Sequence, residues 1–171
     1  MIVDGRAGPP FASLSRDSLV LAPDGRRVAY VGRDDAGEHA VVDERVGSGF
    51  RRIARLAFGA KGLLVAYVGF DAAGTRVVID SEPGPILDDV IELALATETP
   101  RWAAVGLRHG ARVVLRDSEI FAEAAASQLL LSADGARIAW SVETDHGHEV
   151  WLDGARVGTY ASVERMRFVP R

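Results

Sequence analysis

Histidines and carboxylates are the residues of this chain that could ligate a metal ion, and they come closest together in the segment DHGHE at 145–149. His146 and His148 lie two residues apart, and Glu149 follows the second histidine. Imidazole and carboxylate groups are ligands for zinc, copper or nickel, so these three residues are candidate metal ligands. The sequence favours a structural role for them, because His, Asp and Gly are common where a turn requires positive φ. We therefore predict no metal site and no cofactor. His39 and His109 occupy other hairpin turns, and we do not expect them to reach the same ion.

Motifs of the common enzyme classes do not occur in the sequence. There is no GxSxG, HExxH, Walker loop or complete GxGxxG, and Gly47-Ser48-Gly49 lacks the third glycine of the dinucleotide fingerprint. Asp88 and Asp89 are adjacent, so in a strand they point to opposite faces and cannot share a proton as a catalytic pair. The sequence therefore predicts a protein that is not an enzyme.

The elements that carry these residues repeat with a period of about 37 residues. One marker is the last apolar residue of a first strand, which recurs at spacings of 37, 37, 36 and 37: Leu21, Phe58, Leu95, Leu131 and Phe168. A small residue of the second strand recurs at spacings of 37, 37 and 36: Ala29, Ala66, Ala103 and Ala139. Such a period indicates a solenoid, a propeller or an array, and four short strands per period favour the propeller.

Two further markers lie in the third and fourth strands. The third strands are predicted to end at Asp4, Asp43, Asp80, Arg116 and Asp153. The fourth strands carry apolar pairs three residues apart, namely Phe11/Leu14, Phe50/Ile53, Leu87/Val90, Phe121/Ala124 and Tyr160/Val163. We interpret the aspartates as turn initiators whose side chains bond their own backbone two residues on, rather than as a ring of catalytic carboxylates. The aromatic residues that fall at strand positions are predicted to pack in the core or between blades rather than to bind a ligand: Tyr30, Tyr67, Trp102, Trp140 and Trp151.

The best-preserved copy begins with LVLAPDGRRVAYV at 19–31, in which Pro23-Asp24-Gly25 is a turn between two strands. Two segments conflict with a β repeat, because ILDDVIELALAT (86–97) and FAEAAASQLLL (121–131) are rich in helix formers with nearly helical spacing. Since both fall where other copies have a fourth strand followed by a first strand, we predict strands there.

The predicted fold is an all-β, small β-propeller formed by a single domain over 1–171. Its four full blades of four antiparallel strands are assigned to 16–54, 55–91, 92–126 and 127–164. Residues 1–15 and 165–171 are predicted to contribute to a composite or incomplete fifth blade, built from both termini, whose second strand is missing. Three explanations remain open: a degenerate fifth blade, a partner chain that fills the gap, or a fragment of a longer ring.

Composition excludes several function classes. The net charge of −4 gives no electrostatic basis for binding nucleic acid or an anionic membrane. No apolar run is long enough to cross a membrane, so we predict no membrane insertion. There is no cysteine, and therefore no disulfide framework. The compartment stays open between the cytoplasm and a bacterial envelope.

The segments APDGRRVAYV and SADGARIAW, the strand ends VVDE, VIDS and WLDG, and the segments GPPF and GPIL resemble the TolB-like branch of the WD-repeat propellers. The resemblance implies protein–protein interaction, often in the bacterial envelope, or a propeller module attached to a hydrolase. It transfers no binding residue to this chain, because partner contacts lie outside the repeated motif. We expect a non-enzymatic scaffold that binds a protein or peptide. The alternatives are a homo-oligomer that completes its ring through the incomplete blade, and a ligand- or metal-binding propeller.

Overall fold

The computed structural model describes residues 2–3 and 5–169, and nearly all regular structure among them is β-strand. The chain divides into two compact units, Met1–Ile86 and Leu87–Arg171. Both units are built from antiparallel sheets. No helix among the described residues is long and apolar enough to cross a membrane.

The unit Met1–Ile86 contains a short hairpin and two larger sheets. The N-terminal hairpin pairs β1 (Ile2–Val3) with β2 (Arg6–Ala7). Sheet I contains β3 (Ser13–Leu14), β4 (Val20–Leu21), β5 (Val28–Asp34), β6 (Gly37–Val42) and β7 (Arg45–Phe50). Sheet II contains β8 (Arg52–Gly59), β9 (Leu64–Asp71), β10 (Gly74–Ile79) and β11 (Glu82–Pro83), and a single-turn 3₁₀ helix at Ala60–Gly62 joins β8 to β9. Because β3 and β4 both pair with β5, they form one interrupted first strand of sheet I.

The unit Leu87–Arg171 contains two four-stranded sheets. Sheet III consists of β12 (Asp89–Leu95), β13 (Trp102–Arg108), β14 (Ala111–Arg116) and β15 (Glu119–Glu123). Sheet IV consists of β16 (Ala126–Leu131), β17 (Ile138–Thr144), β18 (Gly147–Leu152) and β19 (Ala155–Tyr160). The all-β class and the four four-stranded repeats are therefore confirmed. In the N-terminal hairpin, β1 is the predicted third strand of the incomplete fifth blade. The predicted fourth strand at Phe11–Leu14 is wrong, because β3 pairs with β5 and belongs to sheet I.

The turns between first and second strands form where the sequence predicts them. Gly25 has φ 69° and donates its N–H to the Ala22 carbonyl at 2.8 Å. Gly135 has φ 68° and donates to the Ser132 carbonyl at the same distance of 2.8 Å. Positive φ is readily accessible to glycine, so the Asp-Gly pairs of the repeat locate these turns from the sequence alone.

The two segments with helical propensity are strands, as predicted. Residues 86–97 contain β12, and residues 121–131 contain the end of β15 and all of β16. Pairing with β13 and β17 satisfies their backbone groups, and Val90 and Leu129 are buried. Tertiary pairing and burial outweigh local propensity here, because propensity differences are small for each residue.

The predicted boundaries of the fourth strands are wrong. The fourth strand follows the third through a two-residue turn, so β7 already ends at Phe50 and β8 begins at Arg52. Consequently the assigned units 55–91 and 92–126 begin inside β8 and β12, and 127–164 begins one residue inside β16. The first strands carry bulges that interrupt their alternation; in β8 the pairing register shifts between Ala54 and Ala57, and Arg55 has φ 57°. The predicted first strand at 165–171 is not formed by residues 165–169, and residues 170–171 lie outside the described ones. The assignment of 1–171 to a single domain stays a prediction.

Large apolar side chains pack against glycines of the second strands. A Cβ on Gly69 would lie 2.5 Å from the Phe50 ring, and a Cβ on Gly106 would lie 2.7 Å from Leu87. Phe11 covers Gly32 in the same way. The three glycines are 37 residues apart, and the apolar residues are the first members of the pairs predicted in the sequence. In sheet IV the residue equivalent to these glycines is Val142, which pairs with Ala126.

Candidate functional site

An aspartate clasp recurs at one end of each sheet. Its aspartate follows the third strand, and its Oδ1 accepts a hydrogen bond from the backbone N–H of the residue 15 positions earlier, near the start of the second strand. The four bonds measure 3.0, 2.9, 3.2 and 2.9 Å and join Asp43 to Val28, Asp80 to Val65, Asp117 to Trp102 and Asp153 to Ile138. The clasp ties the third-to-fourth turn to the neighbouring strand. We call this end of each sheet its clasped end.

The clasp revises two predictions. All four aspartates have φ between 47° and 51°, so the predicted turns are confirmed. The predicted bond to their own backbone is wrong, because the carboxylates bond the adjacent strand instead. In sheet III the equivalent residue is Asp117 rather than the predicted Arg116, which restores the spacing from Asp80 to 37 residues. Asp4 lies outside the described residues.

An arginine completes the clasp in three of the four sheets. In each case a guanidinium nitrogen lies 2.7 Å from Oδ2 of the aspartate, in the pairs Arg27–Asp43, Arg101–Asp117 and Arg137–Asp153. Burial raises the pKa of Asp153, but the hydrogen bonds from Ile138 and Arg137 and the charges of Arg137 and Arg116 outweigh burial, so the net pKa is lowered. In sheet II the equivalent arginine position holds Leu64, which is 1% exposed. Asp80 therefore keeps its backbone bond to Val65 and has no arginine partner among the described residues.

Two equivalent cavities open beside clasped aspartates in the unit Met1–Ile86. The Tyr67 cavity has a volume of about 490 Å³ and lies between sheets I and II; its polar lining consists of Arg27, Asp43, Arg45, Tyr67, Asp80 and Ser81. The Tyr30 cavity has a volume of about 470 Å³, and its lining includes Arg6, Gly8, Tyr30, Asp43 and Glu44. Tyr30 and Tyr67 are 37 residues apart, whereas Arg6 and Arg45 are 39 apart. The repeat therefore builds the same kind of cavity twice.

The tyrosines of both cavities have hydroxyl groups without a hydrogen-bond partner among the described residues. Each side chain is only 2% exposed. Burial raises the pKa of Tyr67; burial, and next the negative charge of Glu44, raise the pKa of Tyr30. Both side chains are consequently neutral phenols at neutral pH. A buried hydroxyl without a partner is costly, so each is a group that a ligand or a water molecule can satisfy.

The structure assigns more to these tyrosines than the sequence did. Their burial confirms the prediction of core packing, and Trp102 and Trp140 are buried as well. Sequence reasoning missed that a side chain with a hydroxyl group recurs one period apart, at Tyr30 and Tyr67. The equivalent residue of sheet III is Ala104, which has no hydroxyl. The absence of a side chain at Gly47 leaves room beside the Tyr67 hydroxyl, because a Cβ at Gly47 would lie 3.3 Å from the hydroxyl oxygen.

The three candidate metal ligands occupy sheet IV and are not brought together. His146 lies in the turn between β17 and β18, where its backbone N–H donates to Thr144 Oγ1 at 3.3 Å. His148 and Glu149 are neighbours in β18 and therefore point to opposite faces. Glu149 accepts hydrogen bonds from Trp151 Nε1 at 3.2 Å and from Arg156 Nη1 at 3.0 Å. Among the described residues there is no group of three His, Asp or Glu side chains that could hold a metal ion.

The other two histidines have structural surroundings. The predicted turn position of His39 is wrong, because His39 lies within β6. Its Nδ1 is 3.0 Å from the Gly47 carbonyl oxygen and its Nε2 is 3.2 Å from Asp34 Oδ1. Its ring also packs against Phe11, with the centroids 5.8 Å apart. His109 lies in the turn between β13 and β14 and has φ 51°, which agrees with its prediction as a turn residue.

A third cavity, in the unit Leu87–Arg171, lacks the feature that marks the tyrosine cavities. Its volume is about 1280 Å³, and it is lined by residues of β16 and by residues 165–169, which form no regular structure. Among its described lining residues there is no buried side-chain polar atom without a partner. The Tyr67 and Tyr30 cavities are therefore the stronger candidates for a binding site.

No protein-family model and no curated protein matches this chain. Among solved structures, the crystal structure of TolB from Acinetobacter baumannii is similar, with a TM-score of 0.50 and 9% sequence identity over 82% of this chain. The fold is that of a β-propeller. The likeness confirms the predicted resemblance at the level of the fold and does not assign the type of repeat. This chain spans 42% of the TolB chain, so it corresponds to less than half of that protein.

Proposed function

We propose that the protein is a non-enzymatic scaffold that binds a protein or peptide at the clasped ends of its sheets. The observation that carries this proposal is the pair of cavities beside the clasps, lined by Tyr30 and Tyr67, whose buried hydroxyls have no partner among the described residues. A phenol can donate to a peptide carbonyl and accept from a peptide N–H or a side-chain donor.

The clasps favour binding because they restrain the turns before a partner arrives. The turns at Asp43–Glu44 and Asp80–Ser81 are each held by a backbone N–H to carboxylate bond. A surface that is already ordered loses less conformational entropy on binding, so more of its contact energy contributes to affinity. Exposed charged groups at these turns, Glu44 and Arg45 among them, supply the polar rim of such an interface.

The non-enzymatic part of the proposal is supported by how the recurring carboxylates are used. Oδ1 of Asp43 bonds the Val28 N–H and Oδ2 bonds Arg27, and Asp153 has the same two kinds of partner. Both oxygens of such a carboxylate bond groups of the protein itself. These residues therefore stabilise turns and are poorly suited to proton transfer.

The test is a peptide display selection on the full chain, followed by selective blocking of one end of sheet II. The chain has no cysteine, so Ser81→Cys and Ala72→Cys each create a single site for a bulky maleimide. Ser81 lies at the clasped end, whereas Ala72 lies in the exposed β9–β10 turn at the other end of the same sheet. We expect selected peptides to bind with micromolar dissociation constants and to be blocked only by the adduct at residue 81. A selection that yields no binding peptide, or peptides blocked equally by both adducts, contradicts the proposal.

Self-association is the second candidate function, and one apolar patch favours it. Leu21 is 63% exposed and Leu63 is 73% exposed. They flank a close approach between the segment after β4 and the 3₁₀ helix, because a Cβ on Gly62 would lie 2.8 Å from that of Ala22. Burying such leucines against a second copy would stabilise a homo-oligomer. Light scattering tests this: we expect Leu21→Glu with Leu63→Glu to yield monomers if the patch is an interface, and a monomeric wild type at micromolar concentration excludes it.

A further inference from the structure

Sheet II differs from the other three sheets at one position of its clasp. Arg27, Arg101 and Arg137 place a guanidinium on the clasped aspartate, whereas the equivalent residue in sheet II is the buried Leu64. Asp80 Oδ1 still accepts the Val65 N–H at 2.9 Å. Its Oδ2 has neither a hydrogen bond nor an ion pair with any described residue. Sheet II therefore contains the acceptor of the clasp without its cation.

The carboxylate of Asp80 is arranged to accept such a cation. In the three complete clasps, Oδ1 bonds the second-strand N–H while Oδ2 faces a guanidinium nitrogen at 2.7 Å. Asp80 shares the Oδ1 bond and the same turn, with φ 47° at Asp80 and 77° at Ser81. Because the backbone already orients this carboxylate, a guanidinium gains a charge-assisted hydrogen bond without first ordering its acceptor.

The Tyr67 cavity adds a second acceptor beside Asp80. Both residues line the same space of about 490 Å³, which lies within the size range of small-ligand sites. The Tyr67 hydroxyl is buried and has no partner among the described residues. Asp43 lines the same cavity from sheet I and is already paired with Arg27 at 2.7 Å, so it does not compete for the cation. The cavity is thus lined by one residue with a carboxylate oxygen and one with a neutral hydroxyl that lacks a partner among the described residues.

We propose that the Tyr67 cavity receives an arginine side chain of a protein or peptide partner, which completes the Asp80 clasp in trans. This inference rests on the proposed function and names the chemistry that the partner presents. Arginine fits better than lysine because its planar guanidinium donates in several fixed directions and reaches two acceptors at once. One N–H bonds Asp80 Oδ2, and another bonds the Tyr67 hydroxyl.

Arg45 of sheet I is expected to weaken the binding of an arginine at this site. It lines the same cavity and makes no ion pair with Asp80 or with any other described residue. Its like charge opposes the incoming arginine, with solvent screening because Arg45 is exposed. Removing the charge by Arg45→Gln is therefore expected to strengthen binding by about twofold to fivefold.

The experiment titrates acetyl-Gly-Arg-Gly-amide into the ¹⁵N-labelled full chain and follows the Val65 amide resonance. Val65 is a direct reporter, because its N–H bonds Asp80. We expect a saturable shift with the arginine peptide, binding at least about fivefold weaker with the lysine peptide, and no saturation with the uncharged citrulline peptide. Tyr67→Phe should weaken arginine binding roughly tenfold, and it removes an oxygen without a partner, so the fold is retained.

A variant that supplies the arginine within the chain gives an independent test. Leu64→Arg rebuilds the clasp found in the other sheets, so it should abolish peptide binding, whereas Leu64→Gln should not. If Leu64→Arg does not fold, Tyr67→Phe and Arg45→Gln still decide the question by moving the affinity in opposite directions. Equal binding of the arginine and citrulline peptides, or unchanged affinity in Tyr67→Phe, overturns the inference. Displayed peptides that bind at the clasped end without arginine overturn it too, but they leave the proposed function standing.

Discussion

Removing one clasp aspartate in sheet IV should destabilise the protein far more than removing the arginine that faces it. Asp153→Ala deletes the bond to the N–H of Ile138, a residue with no exposed surface, and leaves that donor unsatisfied. This loss costs about 1–3 kcal/mol. Alanine at φ 51° adds about 1 kcal/mol of backbone strain. The ion pair with Arg137 is half exposed and contributes about 0.2–1 kcal/mol. The expected total is about 3 kcal/mol for Asp153→Ala and under about 1 kcal/mol for Arg137→Met.

Urea unfolding followed by tryptophan fluorescence measures both losses. All three tryptophans belong to the unit Leu87–Arg171, and Trp140 and Trp151 stack with their ring centroids 6.2 Å apart in sheet IV. Their emission therefore reports the part of the chain that contains Asp153. Asp145→Ala is the matched control, because Asp145 is exposed at the opposite end of the same sheet; we expect a change within about 0.5 kcal/mol. Equal losses for Asp153→Ala and Arg137→Met would refute the assignment of the clasp's stability to its backbone bond.

Three further predictions concern pH, packing and the buried hydroxyl. The folded pKa of Asp153 lies below its ordinary value of 3.8. Its contribution to stability is therefore present above pH 3.8 and is lost as the pH falls through the folded pKa. In thermal melts from pH 7 to 2, the difference in melting temperature between wild type and Asp153→Asn should shrink as the pH falls. Gly69→Val should destabilise the fold by at least about 1–3 kcal/mol, because the valine side chain collides with Phe50. Adding Phe50→Ala should recover part of this loss in urea unfolding. If the losses of the two single variants simply add in the double variant, the packing argument is contradicted. Tyr67→Phe should leave the free energy of unfolding unchanged or raise it by up to about 1 kcal/mol, since it removes a hydroxyl without a partner; a loss above about 1 kcal/mol would indicate a bound water at that oxygen.

The repeat and its turns could be read from the sequence because they depend on local chemistry. Asp24-Gly25 and Asp134-Gly135 predict positive φ at the turn wherever they occur, and alternating apolar residues predict the strands beside them. The period then corrected local propensity at residues 86–97, where helix formers form β12. Strand ends were less predictable, because the bulge at Arg55 breaks the alternation that marks where β8 begins.

The candidate site could be predicted only in part. Asp43, Asp80 and Asp153 were recognised as turn residues from their place after the third strand. Their bonds to the second strand were not, because the partners are 15 residues away and pairing two strands brings them together. Tyr67 was recognised as a core aromatic, but whether its hydroxyl has a partner depends on the neighbouring sheet.

The amino-acid sequence by itself determined that this protein is a series of four-stranded β units with Asp-Gly turns and a period of about 37 residues. The reason is that backbone freedom at turns and alternation along strands are properties of consecutive residues. The tertiary structure alone decided that, among the described residues, Leu64 leaves Asp80 without a cationic partner and that Tyr67 lines the same cavity. These relations join residues of different strands and sheets, and only packing sets their distances.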